Sequence, residues 1–468
     1  MCCRTARNPG AGTSGDKSTH NPIDRQGLYA SRKTLKIKSK PTEPITTATA
    51  LRRAFQKLGP GLVTGASDDD PSGIATYSQV GAQFGFGMLW TMLFSYPLMA
   101  AIQEISARMG RVTGRGIAGS IRRHYSHPVV YGIVTLLVVA NVFNLGADIG
   151  AMAAAARLIA PGPSSAYVLG FGALCLGLQV WVPYKTYVKY LKWLTLALFA
   201  YVATAFAVRV PWGEALVATV LPSFHVAASN SSGYFTALTA VLGTTISPYL
   251  FFWQASQEVE EIGAHFADQP LLKAPGQARV QFNRIGVDTF AGMAFSNLVA
   301  FFIILTAAVT LHTHGITDIQ TADQAASALR PLAGRFAFLL FAAGIVGTGL
   351  LAVPVLAGSA AYGICDALHW KASLEKKPLE RRGFYGALAL VTLAGVALNF
   401  IGLNPIKALF WSAVFNGIAA APVMVVVMLM ASNRKLMGPF VLGWPLRIAG
   451  WIATVVMGVA SVGMFLSL

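Results

Sequence analysis

The chain has 468 residues, of which 54% are hydrophobic and only 12% charged, and its mean hydropathy is +0.56. Soluble domains carry about 25% charged residues, so this composition excludes a soluble protein and describes a polytopic membrane protein. The formal net charge of +17 does not point to nucleic acid, because much of it lies in the first 57 residues and the rest in short loops between apolar segments.

Residues 1–50 are polar and basic, with Lys33, Lys36, Lys38 and Lys40 near their end. They read as a disordered cytoplasmic tail, and no continuous apolar core makes them a cleaved signal peptide. Cys2, Cys3, Cys175 and Cys365 show no paired spacing, so neither a disulfide framework nor a zinc knuckle is indicated. Acylation of Cys2 and Cys3 is not needed for anchoring.

Eleven apolar segments follow, at roughly 54–82, 86–107, 129–158, 165–182, 190–208, 234–257, 287–311, 335–364, 383–403, 407–431 and 441–467. Most are long enough to cross a bilayer core, which needs about 20 helical residues. With the tail in the cytoplasm, the loops after even-numbered segments should be cytoplasmic and basic. Arg108, Arg111, Arg115, Arg122 and Arg123 follow the second, Lys273, Arg279 and Arg284 the sixth, and Lys371, Lys376, Lys377, Arg381 and Arg382 the eighth. Lys185, Lys189 and Lys192 follow the fourth, and Arg434 and Lys435 the tenth. The carboxyl terminus is then expected outside.

The first segment contains Asp68-Asp69-Asp70-Pro71-Ser72-Gly73. Three carboxylates are costly at membrane depth, and Pro71 with Gly73 predicts a helix break at about Asp70 to Gly73. A break frees carbonyl oxygens that, beside a carboxylate, can hold a cation. The alternative is a helix end at the water interface, with the aspartates as caps. Asp68 and Asp69 either line the approach or cap the helix.

The sixth segment contains Gly243-Thr244-Thr245-Ile246-Ser247-Pro248-Tyr249, a second proline after small polar residues. A Pro kink relieved by hydroxyls explains it alone, but paired interruptions five segments apart point to inverted repeats with a midplane site. Asp70, the unwound carbonyls, Thr244 and Ser247 offer only oxygen, which suits Mg²⁺, Ca²⁺ and Mn²⁺; no Cys, Met or His lies at either break. Gly73 leaves room for a partly hydrated ion. Glu258, Glu260 and Glu261 read either as an exit vestibule for cations or, more simply, as a solvated helix end.

Gly59-Pro60-Gly61, Asp70-Pro71 and Gly81-Ala82-Gln83-Phe84-Gly85 together resemble the first helix of the Nramp divalent-metal transporters. Ser106-Ala107-Arg108-Met109-Gly110 with Thr113-Gly114-Arg115 resembles the end of their second helix, and the stretch Ser432 to Gly438 the loop after their tenth. The resemblance covers about residues 54–440. It implies an all-α polytopic membrane protein with a LeuT-like 5+5 inverted repeat, discontinuous helices 1 and 6, and alternating access. Residues 1–50 are then the tail, 51–440 the transport core and 441–468 an additional eleventh transmembrane helix.

Family members typically read Asp-Pro-Gly-Asn in helix 1, where this chain has Gly73 for Asn, and carry Ala and Met before Pro-His in helix 6, where it has Thr244, Ser247, Pro248 and Tyr249. Proton-coupled members carry helix-3 acids where Asn144 and Ala147 stand here, with Asp148 one position on. This pattern is similar to the Nramp-related magnesium transporters, and implies metal contacts at Asp70, Gly73, Thr244 and Ser247, with Asn416 the nearest polar group on helix 10. The expectation is Mg²⁺ and Mn²⁺ uptake across the cell (inner) membrane without obligatory proton coupling; the alternative is a proton-coupled Mn²⁺/Fe²⁺ importer using Asp70 or Asp148. A membrane-embedded enzyme would need a nucleophile-base pair or a multi-His site, and the eight histidines fall in tails and loops. No catalytic residue and no cofactor beyond the transported ion is expected, the bilayer is the surrounding partner, and the transport unit is expected to be a monomer. A non-transporting receptor would fold without metal flux.

Overall fold

The computed structural model describes residues 64–65, 67–182, 186, 194–222, 231–264 and 267–467. The tail, the Gly59-Pro60-Gly61 motif, Cys2, Cys3, Lys185, Lys189, Lys192, His20, His225 and His265 lie outside these. Among the described residues there are helices and turns and no strand.

Twelve main helices run in chain order: α1 Pro71–Phe84, α2 Trp90–Thr113, α3 His127–Ile159, α4 Ser164–Trp181, α5 Phe199–Ala207 and α6 Ser231–Thr245. They continue with α7 Pro248–Ala264, α8 Ala278–Thr310, α9 Ala337–Leu368, α10 Arg382–Leu398, α11 Pro405–Ala431 and α12 Trp444–Ser467. Each of the eleven apolar segments thus holds a helix, with α6 and α7 sharing the sixth. Seven spans among the described residues are long and apolar enough to cross a membrane, α6 and α7 counting as one, and α1 turns into α2 through 109°. The ninth segment is the shorter α10, and the fifth is represented by Leu196–Ala207.

Local chemistry sets the ends. Gly114 closes α2 in the left-handed region at φ 65°, where a side chain would be strained. Pro405 opens α11 at a position that needs no N–H, while the Asn404 side chain accepts from Ile406 and Lys407.

The helices pack around α3, which lies against α9, α10 and α11, while α1 lies on α8, α6 on α11 and α12, and α7 on α2 and α9. In lipid, helices gain little from hydrophobic association and depend on close contact, so small residues mark the crossings. A Cβ on Gly243 of α6 would lie 2.1 Å from the Ala413 carbonyl oxygen and 2.4 Å from the Gly417 nitrogen of α11. The two backbones can approach that closely only because neither position carries a side chain there.

Candidate substrate site at the two helix breaks

Helical backbone at Thr64, Gly65, Ser67 and Asp68 stops at Asp69 and Asp70, then resumes at Pro71. The break is thus centred one or two residues before the expected position, and Gly73 sits inside α1. The reason is that Pro71 starts a helix well at its first position and Asp70 caps it. Asp70 Oδ1 accepts from the Gly73 N–H at 2.7 Å and from the Ser72 hydroxyl at 2.7 Å.

The other oxygen faces across the bundle. Asp70 Oδ2 accepts from Asn144 Nδ2 of α3 at 2.9 Å and from the Tyr249 hydroxyl of α7 at 3.4 Å. The Asp70 carboxyl group, only 1% exposed, is therefore supplied with four neutral donors, which offset part of the cost of burying it. Of the two readings the sequence offered, Asp70 does cap α1, with Oδ1, while Oδ2 is left facing α3 and α7.

In the sixth segment only Ile246 and Ser247 leave the helix, and Ser231–Ala264 still runs as one span. The interruption is shallow because hydroxyls satisfy the freed carbonyls. Ser247 donates to the Gly243 and Thr244 oxygens at 2.8 Å each, and Thr245 to the Val241 oxygen at 3.0 Å. Ser247 is turned onto its own helix. Thr244 faces α1, its Oγ1 lying 3.1 Å from where a Cβ on Gly73 would be.

The two breaks therefore meet: Asp70, Gly73 and Thr244 share one buried neighbourhood, with Tyr249 joining Asp70 to the Ser67 carbonyl at 3.3 Å. Asn416 is fully buried on α11, beside the crossing with α6, and among the described residues neither amide atom has a hydrogen-bond partner. Asp148 is fully buried on α3, facing the Ser72 backbone and Asp70.

Asp68 and Asp69 do not cap a helix. Both carboxylates meet the Ser296 hydroxyl of α8, at 2.5 and 3.0 Å, and fasten the segment before the break to that helix. Nothing in the sequence singled out Ser296, one serine in an apolar helix. Glu258 and Glu260 overturn the expectation of a solvated helix end. Glu258 is wholly buried and paired with Arg284, while Glu260 accepts from the Tyr362 hydroxyl at 3.0 Å, the Ser373 hydroxyl at 2.9 Å and the Leu374 N–H at 3.2 Å. Helix ends from different parts of the chain converge there, so the charges are clamped between them.

On the opposite face a cavity of about 340 Å³ opens between α1, the segment after α8 and the start of α11. Its lining includes Ala75, about one and a half turns beyond Asp70.

The Nramp model, described as natural resistance-associated macrophage protein-like, matches residues 61–467. The chain belongs to the Nramp family. Its relatives include the divalent metal cation transporter MntH of Klebsiella pneumoniae (strain 342), 27% identical over 399 residues, covering 84% of this chain and 90% of that protein. MntH of Pectobacterium carotovorum subsp. carotovorum (strain PC1) is 25% identical over 425 residues, covering 90% of this chain and 96% of its own.

Among solved structures, the Eremococcus coleocola manganese transporter in complex with an aromatic bis-isothiourea compound superposes with a TM-score of 0.66 at 16% identity, over 92% of this chain and 91% of its own. Mhp1, a nucleobase-cation-symport-1 family transporter, gives 0.54 at 12% identity, over 88% and 91%. The Nramp chain has their LeuT-like fold, a 5+5 inverted repeat with helices 1 and 6 discontinuous. It is an integral membrane transporter and not an enzyme.

Proposed function

We propose that this Nramp chain carries divalent metal cations, Mg²⁺ and Mn²⁺, by alternating access without obligatory proton coupling. The observation that carries the reading is Asp70: one buried carboxylate at the junction of the two breaks, held by neutral donors and adjoining Gly73 and Thr244. Asp70 supplies the charged ligand, Thr244 a hydroxyl or water-mediated contact, the unwound turn its carbonyls, and Asn416 an amide from α11. Ser247 contributes by satisfying the break and offers its oxygen only as an acceptor.

Hard cations prefer such oxygen donors, and Mg²⁺ usually retains several waters, for which glycine at position 73 leaves space. No cysteine, methionine or histidine lies in Asp68–Gly73 or Gly243–Tyr249 to favour softer ions. The relatives named for divalent metal and manganese transport support the substrate class. A potential of 100 mV contributes about 2.3 kcal/mol per charge, so a divalent ion gains about twice that and needs no proton to drive entry. The basic loops support a cytoplasmic amino terminus, an outer carboxyl terminus and residence in the cell (inner) membrane.

The test reconstitutes wild type and Asp70→Ala in liposomes and compares Mg²⁺, Mn²⁺ and Ca²⁺ influx with and without a pH gradient. Wild-type Mg²⁺ and Mn²⁺ flux that ignores the gradient and is lost in Asp70→Ala is expected. Normal transport by Asp70→Ala removes the ligand assignment. A second reading, a proton-coupled Mn²⁺/Fe²⁺ importer, is favoured by the buried Asp148 facing Asp70. Acidification of the liposome lumen accompanying metal entry selects it instead.

A further inference from the structure

Of the residues lining the 340 Å³ cavity, only Asp318 and Lys407 are charged. They stand on different walls, Asp318 on the segment after α8 and Lys407 in the first turn of α11, and among the described residues no ion pair joins them. Asp318 is held in place by the residues on either side of it. Gln79 of α1 donates from Nε2 to the Thr317 carbonyl at 3.1 Å and accepts at Oε1 from the Ile319 N–H at 2.8 Å. The Asp318 carboxylate itself accepts from Gln320 Nε2 at 3.0 Å.

The second wall is tied to the first. Asn404 Oδ1 accepts from the Lys407 backbone N–H at 3.2 Å, and Asn404 Nδ2 donates to the Gln320 carbonyl at 3.1 Å. An exposed charge on an ordinary surface is solvated and does little. These two differ because a partly walled cavity focuses their field, and because the arriving ion carries two charges and feels twice the potential.

We propose that Asp318 and Lys407 form an opposed steering pair at the mouth of the path to Asp70. Asp318 raises the local concentration of divalent cations in the cavity, and Lys407 lowers it. The pair sets the concentration at which transport saturates and leaves the maximal rate alone, because both residues line the open cavity and neither is among the groups bonded to Asp70. Each charge acts on a divalent ion at about the cavity's own width, which corresponds to a two- to five-fold effect at low salt.

This inference rests on the transport reading, and the experiment separates the two. Initial rates of Mn²⁺ uptake are measured against Mn²⁺ concentration for wild type, Asp318→Asn, Lys407→Gln and the double variant, at about 10 mM and about 300 mM ionic strength, normalised to folded protein in the membrane. At low salt, KM is expected to rise two- to five-fold in Asp318→Asn, fall by a similar factor in Lys407→Gln and return near wild type in the double variant, all at unchanged maximal rate. At high salt the differences should largely disappear, which a packing effect would not do. Unmoved KM values, shifts of the same sign, or shifts that survive high salt overturn the pair while wild-type flux stands. A wild-type chain that moves neither Mn²⁺ nor Mg²⁺ overturns the transport reading and the pair with it.

Discussion

Where α1 and α8 end and α11 begins, the bundle holds a cavity and its walls are joined by neutral groups, the Gln79 and Asn404 carboxamides. At the opposite face, where α2, α7 and α9 end, the joins are charged. Arg111 meets Asp268 at 2.6 Å, Arg284 pairs with Glu258, and Glu260 is gripped by three donors from the end of α9 and the segment after it. Arg122 also bonds the Asp366 carbonyl, and Gly119 N–H the Asp366 carboxylate at 3.0 Å. Neutral hydrogen bonds contribute about 1 kcal/mol net and charged ones about 1.5–3, so the charged face is the more firmly held. A transported ion must supply differential affinity to exchange one arrangement for the other.

The largest test of that contrast is Arg284→Ala. It leaves Glu258, fully buried, without its cation, and breaking such a pair costs about 3–5 kcal/mol. Arg284 is 25% exposed, which puts the expected loss near the lower end, about 3 kcal/mol. Thermal unfolding in detergent should drop markedly, and cysteine probes at the end of α7 should become reactive. An unchanged melting temperature with unreactive probes would mean that the charged face is not what holds this conformation.

The eleven helical segments and the break before Pro71 were legible in the sequence because both follow from local chemistry: apolar length for the spans, a missing N–H for the break. The second break was legible in position but not in depth. Whether Thr245 and Ser247 would bond back to their own helix, leaving only Ile246 and Ser247 irregular, depends on rotamers that no spacing rule fixes. The partners of the acids were the hidden part. Asp68 and Asp69 could be read as costly charges, and Glu258 and Glu260 as a vestibule or a solvated helix end, but Ser296, Arg284, Tyr362 and Ser373 became their partners only when distant helices packed together. Asn144 was visible as a change from the family pattern, and its role as an Asp70 donor needed the geometry.

Ser296→Ala probes the tie midway between the faces. It removes the hydroxyl that meets both Asp68 and Asp69, and a buried acceptor without its donor costs about 1–3 kcal/mol. The segment before Pro71 approaches α8 so closely that a Cβ on Gly65 would lie 2.3 Å from the Gly292 oxygen, so packing alone still holds part of it. The expected outcome is a melting temperature lowered less than in Arg284→Ala, with faster amide exchange at residues 64–70. Ser296→Thr keeps the hydroxyl and should restore much of the protection; if it does not, the loss came from volume rather than from the hydrogen bonds.

Gln79→Ala has the smallest expected effect on stability, because it acts where water can replace what is lost. The side chain gives up two neutral hydrogen bonds to the backbone of residues 317 and 319, one exposed and the other partly buried, for a net cost of about 1 kcal/mol. Global unfolding should barely move. Amide exchange at residues 315–320 should quicken, since that segment is then tied to the bundle chiefly through the Asn404 bond to Gln320 and the Gly315 and Ile316 contacts with the end of α8. With its anchor loosened, Asp318 spends less time facing the cavity, so KM for Mn²⁺ should shift toward that of Asp318→Asn at low salt while the maximal rate holds. Unchanged exchange in that segment would show that the neutral ties on the cavity face are dispensable, and the contrast between the faces would then rest on the charged side alone.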